Sequence, residues 1–408
     1  MDRNVPRRAV VTGIGAITAA GPGTVELEAA LRGSTHCFRD VDLFSTQGLR
    51  VRIAGQVERI PASSLFGSAA ARRASRSDRL AMFAVEQALR ESGIDPGRLD
   101  RRRIGTSIGT STGGMLETET YYANRRSHAP AASWRPRILA ATVGATTDVV
   151  ATSVGAFGPR VAPSTACSSS AISIAMGLGW IRSGRADVVV AGGTDALCRM
   201  TYSGFHALQA MAPEPCRPFD RDRAGLTLGE GAAALVLEDE EHARRRGASI
   251  LAFVRGAGLS CDATHPTAPH EEGRGARQAL EGALADAGLG PDAVDYVNAH
   301  GTGTPQNDAC EARALHAVFG DRAADLPVSS TKGLLGHTLG AAGAIEAVAT
   351  ILALRGGFAP PTVGLENPDP ACVVDLVRGP ARPVELERAA SNSYGFGGNN
   401  CSLVLERA

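Results

Sequence analysis

Two long stretches of this chain carry almost no charge. From Cys167 the sequence runs through Ser168-Ser169-Ser170 into small and aliphatic residues with no charge until Arg182, and from His337 to Leu354 the one acid is Glu346. Both read as helices rich in Ala, Ser and Gly. A helix that is small or apolar all round has no face to show to water, so it is stable only where other layers cover both its sides. Strand-like runs such as Val188-Val189-Val190-Ala191 and Ala233-Ala234-Leu235-Val236-Leu237 alternate with the helical stretches and supply those layers. The expectation is a layered α/β molecule with two helices in its middle.

With 408 residues the chain exceeds the usual size of a single core, so two core units are expected. The 42 basic and 42 acidic residues give a formal charge of zero, which argues against a dedicated nucleic-acid binder. Eight cysteines at 37, 167, 198, 216, 261, 310, 372 and 401 show no C-x-x-C spacing, which favours free thiols in a reducing compartment. Arg3, Arg7 and Arg8 before Ala9–Ile17 imitate a signal peptide, but Gly13 and Gly15 interrupt the apolar run, and a first strand with a glycine turn fits better. Residues 161–181 are long enough to span a bilayer, yet Pro163, Thr165 and five serines make them too polar for lipid. A cytoplasmic protein that neither crosses a membrane nor binds nucleic acid is expected.

An internal duplication is legible. Ala84-Val85-Glu86-Gln87-Ala88-Leu89, ending at Gly93-Ile94, recurs 195 residues later as Ala279-Leu280-Glu281-Gly282-Ala283-Leu284, ending at Gly288-Leu289. Each copy leads through a Pro-containing turn to a strand and a Gly/Thr loop. Cys167–Gly184 likewise matches Gly340–Gly357. Two halves, 1–250 and 251–408, are expected, although Ala/Gly-rich helices also resemble one another through composition alone.

Cys167 stands where an uncharged helix begins, so dipole and free N–H groups would favour its thiolate and make it a candidate nucleophile. An inert core cysteine is the other reading of the residue taken alone. His300 and His337 sit in Gly-flanked loops and are candidate proton donors or acceptors. Glu346 would be costly to bury without a partner. Gly13-Ile14-Gly15-Ala16-Ile17-Thr18 lacks the third glycine of a dinucleotide site, and Cys261, Asp262, His265 and His270 lack a second cysteine at zinc spacing, so no metal is expected.

Four segments considered together go further: Pro163–Ser170 around Cys167, Asn298-Ala299-His300-Gly301-Thr302-Gly303-Thr304-Pro305, Ser330-Thr331-Lys332-Gly333-Leu334-Leu335-Gly336-His337, and Asn392-Ser393-Tyr394-Gly395-Phe396-Gly397-Gly398-Asn399-Asn400. In order and content they resemble the active-site signatures of the β-ketoacyl-acyl-carrier-protein synthases, most nearly the type II elongating enzymes. The resemblance runs over nearly the whole chain. It implies the five-layered αβαβα thiolase fold built from two duplicated halves. It also implies an acyltransferase that performs a decarboxylative Claisen condensation of an acyl thioester with malonyl carrier protein, in fatty-acid or polyketide or polyene assembly.

By the same resemblance Cys167 holds the acyl chain, and His300 and His337 stabilise the enolate left when malonyl thioester loses carbon dioxide. Lys332 orients the second histidine, and Glu346 partners that lysine. The N–H groups of Cys167 and Phe396 form the oxyanion hole. Phe205 and Phe396 are pocket aromatics, Thr302, Thr304 and Thr267 meet the phosphopantetheine arm, and Thr112 stands near the acyl gate. Arg72, Arg73 and Arg76, with Arg79, Arg125 and Arg126 nearby, lie in a segment that faces acidic carrier protein in the family; a solvated arginine-rich helix is the other reading. The partners implied are acyl carrier protein and a second synthase subunit, as homodimer or heterodimer, with no cofactor beyond the phosphopantetheine that carries the substrates. Leu226 stands where many elongating synthases have phenylalanine, which puts the malonyl pocket in doubt. Two rivals are a non-catalytic chain-length subunit, which normally lacks the cysteine, and a thiolase, which uses a second catalytic cysteine.

Overall fold

The computed structural model describes residues 7–64, 73–127 and 135–408. The first half runs β1 (Ala9–Thr18), α1 (Arg76–Ser92), β2 (Ile104–Gly109), α2 (Ala145–Val154), β3 (Arg160–Val161), α3 (Ser169–Arg182), β4 (Val188–Asp195), α4 (Arg199–Ala207) and β5 (Gly231–Asp239). The second runs β6 (Ala252–Cys261), α5 (Arg274–Ala287), β7 (Tyr296–Asn298), α6 (Pro305–Phe319), β8 (Pro327–Ser329), α7 (Ala342–Gly356), β9 (Asp375–Leu376), β10 (Arg388–Tyr394) and β11 (Asn399–Arg407). The helices Thr24–Arg32 and Met115–Arg126 and several shorter elements connect them.

The pairing repeats between halves. In the first, β2 lies parallel to β3 and β4, and β4, β5 and β1 follow antiparallel. In the second, β7 lies parallel to β8 and β10, and β10, β11 and β6 follow antiparallel. The half-sheets are joined edge to edge where Ala9–Val11 of β1 pairs antiparallel with Ala252–Val254 of β6, giving one path in the order β9-β8-β7-β10-β11-β6-β1-β5-β4-β2-β3. Helices α1 and α2 cover the outer face of the first half, α5 and α6 that of the second, and α3 and α7 lie between. These are the five layers.

The repeated helix pattern has a physical cause. A Cβ on Gly13 or Gly15 of β1 would lie 2.0 Å from the carbonyl oxygens of Ala88 and Ala84 on α1, and one on Gly258 of β6 would lie 2.0 Å from that of Ala279 on α5. Helix backbone rests directly on strand backbone in both halves, which requires glycine on one side and alanine on the other. The Gly-Ile-Gly of the N-terminus is therefore a packing device. In the middle layer every residue of α7 from Ala342 to Leu354 is buried. The segment Leu339–Gly356 is long and apolar enough to cross a membrane, but 89% of it is buried inside the molecule.

One member of the arginine patch expected around α1, Arg76, is corrected by the structure. Arg76 donates from Nε and Nη2 to the two carboxylate oxygens of Glu230 at 2.8 and 2.6 Å, and from Nη2 to the Val57 carbonyl at 2.7 Å. Glu230 is fully buried and also accepts the N–H groups of Val57 and Leu197. Arg76 is thus consumed by a bidentate bond to a carboxylate 154 residues away and has no charge to spare for a docking partner. Arg73 is exposed, and Arg72 lies outside the described residues. Arg76→Ala strands a buried carboxylate, and urea unfolding is expected to show a loss of about 3–5 kcal/mol. A variant of native stability with only a raised KM for carrier protein would restore the docking role.

Candidate active site

Cys167 follows Ala166, whose φ of 53° is strained for a residue with a side chain, and precedes Ser168, the N-cap of α3. The turn is tied from both sides: Ser169 Oγ and Ser111 Oγ donate to the Ala166 carbonyl at 2.6 and 3.0 Å. It aims a buried thiol into a cavity of about 380 Å³. The expected thiolate is not the resting state. Burial pushes the thiol up to about 11, although the Lys332 charge and the Phe396 N–H, which donates to the sulfur, pull it back. Removal of water outweighs what the helix terminus and the cation return.

His300 follows β7, on a loop held by two acids of α6. Glu311 accepts the N–H groups of His300 and Gly301 at 2.8 and 2.7 Å, and Asp308 accepts those of Thr302 and Gly303. Burial pushes Glu311 up to about 7 against the pull of those donors. Neither acid was singled out from the sequence. Their signal was present: two acids three residues apart, one helical turn, directly after the histidine loop.

Lys332 is the only lysine in the chain; the other basic residues are all arginine. It begins the short helix Lys332–Leu335 and is buried, with Nζ 3.3 Å from His300 Nδ1 and donating to Glu346 on α7. The lysine therefore serves the first histidine. The expectation that it orients His337 is corrected, because Gly336, at φ 79°, swings the chain round and aims His337 the other way. His337 Nε2 lies 2.9 Å from Cys167 Sγ. The two imidazoles meet edge to face, centroids 5.4 Å apart.

Both histidines are pushed well below the ordinary value, first by burial and then by the Lys332 charge. They are neutral at physiological pH. An ammonium facing Nδ1 of a neutral His300 requires a lone pair there, which leaves the proton on Nε2. The site thus holds a protonated thiol and a donor N–H whose orientation is fixed by a cation that itself never enters the cavity.

Phe396, between Gly395 and Gly397, stacks on Phe205 of α4 with centroids 5.5 Å apart. Phe205, Thr267, Thr302, Thr304 and Leu226 line the cavity with the histidines, and the hydroxyls of Thr302 and Thr304 are hydrogen bonded at 2.9 Å. Leucine in place of phenylalanine leaves an aliphatic wall there. Thr112 is a correction: it is not in this cavity, and its hydroxyl and N–H both bind Asp195 Oδ1, at 2.8 and 2.9 Å. Cys167, His300 and His337 place one donor atom each within 4.8 Å of one another, a set that could also hold a soft metal, with the Lys332 ammonium as a like charge beside it.

Comparison with known proteins agrees with this geometry. Residues 7–243 match the beta-ketoacyl synthase N-terminal domain and residues 251–366 its C-terminal domain. The chain is 37% identical to 3-oxoacyl-[acyl-carrier-protein] synthase 2 of Coxiella burnetii over 98% of its length and 99% of the relative's. It is 38% identical to the tetracenomycin polyketide synthase ketoacyl synthase alpha subunit of Streptomyces glaucescens, over 100% of this chain and 99% of that one. The ishigamide ketosynthase/chain length factor superposes with a TM-score of 0.92 at 34% identity, covering 99% of this chain and all of its own. With a buried thiol and two neutral imidazoles in one cavity and a lysine–glutamate pair behind the first of them, the chain belongs to the beta-ketoacyl synthase family and is a condensing acyltransferase.

Proposed function

We propose that the protein extends an acyl chain by two carbons in fatty-acid or polyketide assembly, with Cys167 as the acyl-holding group and His300 as the enolate donor. The observation that carries this is the split between the imidazoles: His337 faces the thiol at 2.9 Å, while His300 is locked by Lys332. In the first half-reaction Cys167 Sγ attacks an acyl carrier thioester. Its proton leaves by way of His337 Nε2 for the departing carrier thiol, so the charge of the site is unchanged.

In the second half-reaction malonyl thioester loses one carbon dioxide, and the electron pair of the broken C–C bond becomes the enolate. The Nε2–H of His300 points where that oxygen develops, and no proton has to be moved to put it there. The enolate carbon attacks the Cys167 thioester, the N–H groups of Cys167 and Phe396 receive the oxyanion, and collapse expels the Cys167 thiolate, which takes up one proton from solvent. Glu346 keeps the lysine in place, and Thr267, Thr302 and Thr304 meet the phosphopantetheine arm. No metal or diffusible cofactor enters this scheme.

The protein works with acidic acyl carrier protein, for which Arg73 and Arg79 remain exposed on the described surface. It pairs with a second synthase subunit, identical or a chain-length partner. The likeness to a ketosynthase/chain length factor supports this, as does the sheet edge at β3 with exposed Phe157 beside it, unpaired among the described residues. The cysteine in place argues against this chain being the non-catalytic member. Eight free thiols support a cytoplasmic setting.

His300→Ala is expected to slow malonyl decarboxylation by ~10²–10³, the size of one lost oxyanion donor, while acyl transfer to Cys167, read by intact mass, survives better. Equal loss of both half-reactions in a folded protein overturns the division of roles. Cys167→Ala should take up no acyl group.

The raised thiol also sets a pH dependence. A group at about 11 is roughly one part in a thousand thiolate at pH 8, so iodoacetamide alkylation of Cys167, followed on its own peptide, should rise about tenfold per unit from pH 7 to 10. A plateau by pH 8 contradicts the burial argument.

A further inference from the structure

Asp195 ends β4 close to the site, and its carboxylate is buried without a cation in contact among the described residues. Oδ1 accepts from the hydroxyls of Thr110 and Thr112 at 2.6 and 2.8 Å and from the Thr112 N–H at 2.9 Å. Oδ2 accepts the N–H groups of Ser111 and Gly340 at 2.8 and 2.7 Å. A buried charge is tolerated when its oxygens are filled with donors, and five are supplied here by two segments far apart in sequence.

Neither segment reacts, but each adjoins a strained turn that carries a reacting group. Ser111 Oγ donates to the carbonyl of Ala166, at φ 53°, directly before Cys167. Gly340 follows Leu339, also at φ 53°, two residues after His337. A Cβ on Gly340 would lie 2.6 Å from the Ser111 nitrogen and 2.7 Å from Asp195 Oδ2, so the two segments touch at the carboxylate with no room between them. Left-handed backbone at residues with side chains persists only where the surroundings hold it. One carboxylate supplies that hold on both sides of the 2.9 Å contact between Cys167 and His337.

We propose that Asp195 is the positioning residue that sets the distance between Cys167 Sγ and His337 Nε2, acting through Ser111 on the cysteine turn and through Gly340 on the histidine turn. It touches no substrate. The proposal rests on the condensing role only in that acyl loading uses this contact.

Three variants test it: Asp195→Asn, which keeps the shape but turns an amide donor toward N–H groups; Ser111→Ala, which leaves the carboxylate and removes only the tie to Ala166; and Thr147→Val as a control. Thr147 is buried and its hydroxyl donates to the Ile108 carbonyl at 3.0 Å, on strand β2, which leads into the Thr110–Thr112 segment, but away from both turns. The readouts are kcat and KM with an acyl carrier thioester, and the rate of Cys167 alkylation by iodoacetamide at fixed pH. Ser111→Ala should lower kcat and alkylation ~10-fold and Asp195→Asn ~100-fold, with KM within about twofold, as expected for displaced reacting groups. Thr147→Val should lose thermal stability and neither rate.

Loss of a negative charge by itself favours thiolate, so faster alkylation in Asp195→Asn overturns the proposal. Wild-type rates in Ser111→Ala, or equal losses in Thr147→Val, also overturn it. If Asp195→Asn does not fold, Ser111→Ala against Thr147→Val still decides. Alkylation needs no acyl substrate, so its result stands even where the condensing reading fails.

Discussion

Gly343 lies so close to Ala171 that a methyl group on it would sit 2.7 Å from both the Cβ and the nitrogen of that residue, and beside this contact Ser170 Oγ accepts the Ala344 N–H at 2.8 Å. Here the two central helices cross, near the N-terminus of each. Cys167 precedes the first turn of α3, and His337 lies a few residues before α7, whose second turn carries Glu346. A close crossing of small residues therefore brings the thiol and the imidazole into one cavity, with the carboxylate behind it on Lys332, although thiol and imidazole come from opposite halves of the chain. A larger residue at either position would part the helices and with them the site.

Once the crossing is fixed, electrostatics follows from burial. A site sealed by five layers penalises charge, so the thiol rises and both histidines fall. The lysine–glutamate pair places its charges beside His300 as a balanced unit. Lysine is a compact donor that reaches a ring nitrogen and a carboxylate at once, which the broad guanidinium fork would not do in the same space. This gives a physical reason for a single lysine in a chain whose other 41 basic residues, of 42 in all, are arginine.

The repeated helix pattern and the sandwiched helices were legible in the sequence because each is a local or periodic signal, whereas the five-layer order came from the family resemblance. The alanines of α1 and α5 recur at one spacing because both helices lie against glycine strands, and the charge-free runs announce burial. The partners of charged side chains were not legible. Arg76 reads as a surface charge until Glu230 is brought to it across 154 residues, and Thr112 as a pocket residue until Asp195 takes its hydroxyl. Asp308 and Glu311 look like the polar face of a helix, whereas they bind the backbone of the histidine loop. The cysteine was found from its neighbours, but its protonation depends on three-dimensional exclusion of water, for which no motif codes.

The account turns on His300 being a neutral imidazole with its proton on Nε2, held there by Lys332. Two-bond ¹H–¹⁵N correlation spectra of ¹⁵N-histidine protein, with the His300 signals assigned by their loss in His300→Gln, report that tautomer directly. The prediction is an Nε2–H pattern that does not change between about pH 5.5 and 8, in line with a group well below the ordinary histidine value near 6.5. An Nδ1–H pattern, or a titration centred near the ordinary value, would contradict it.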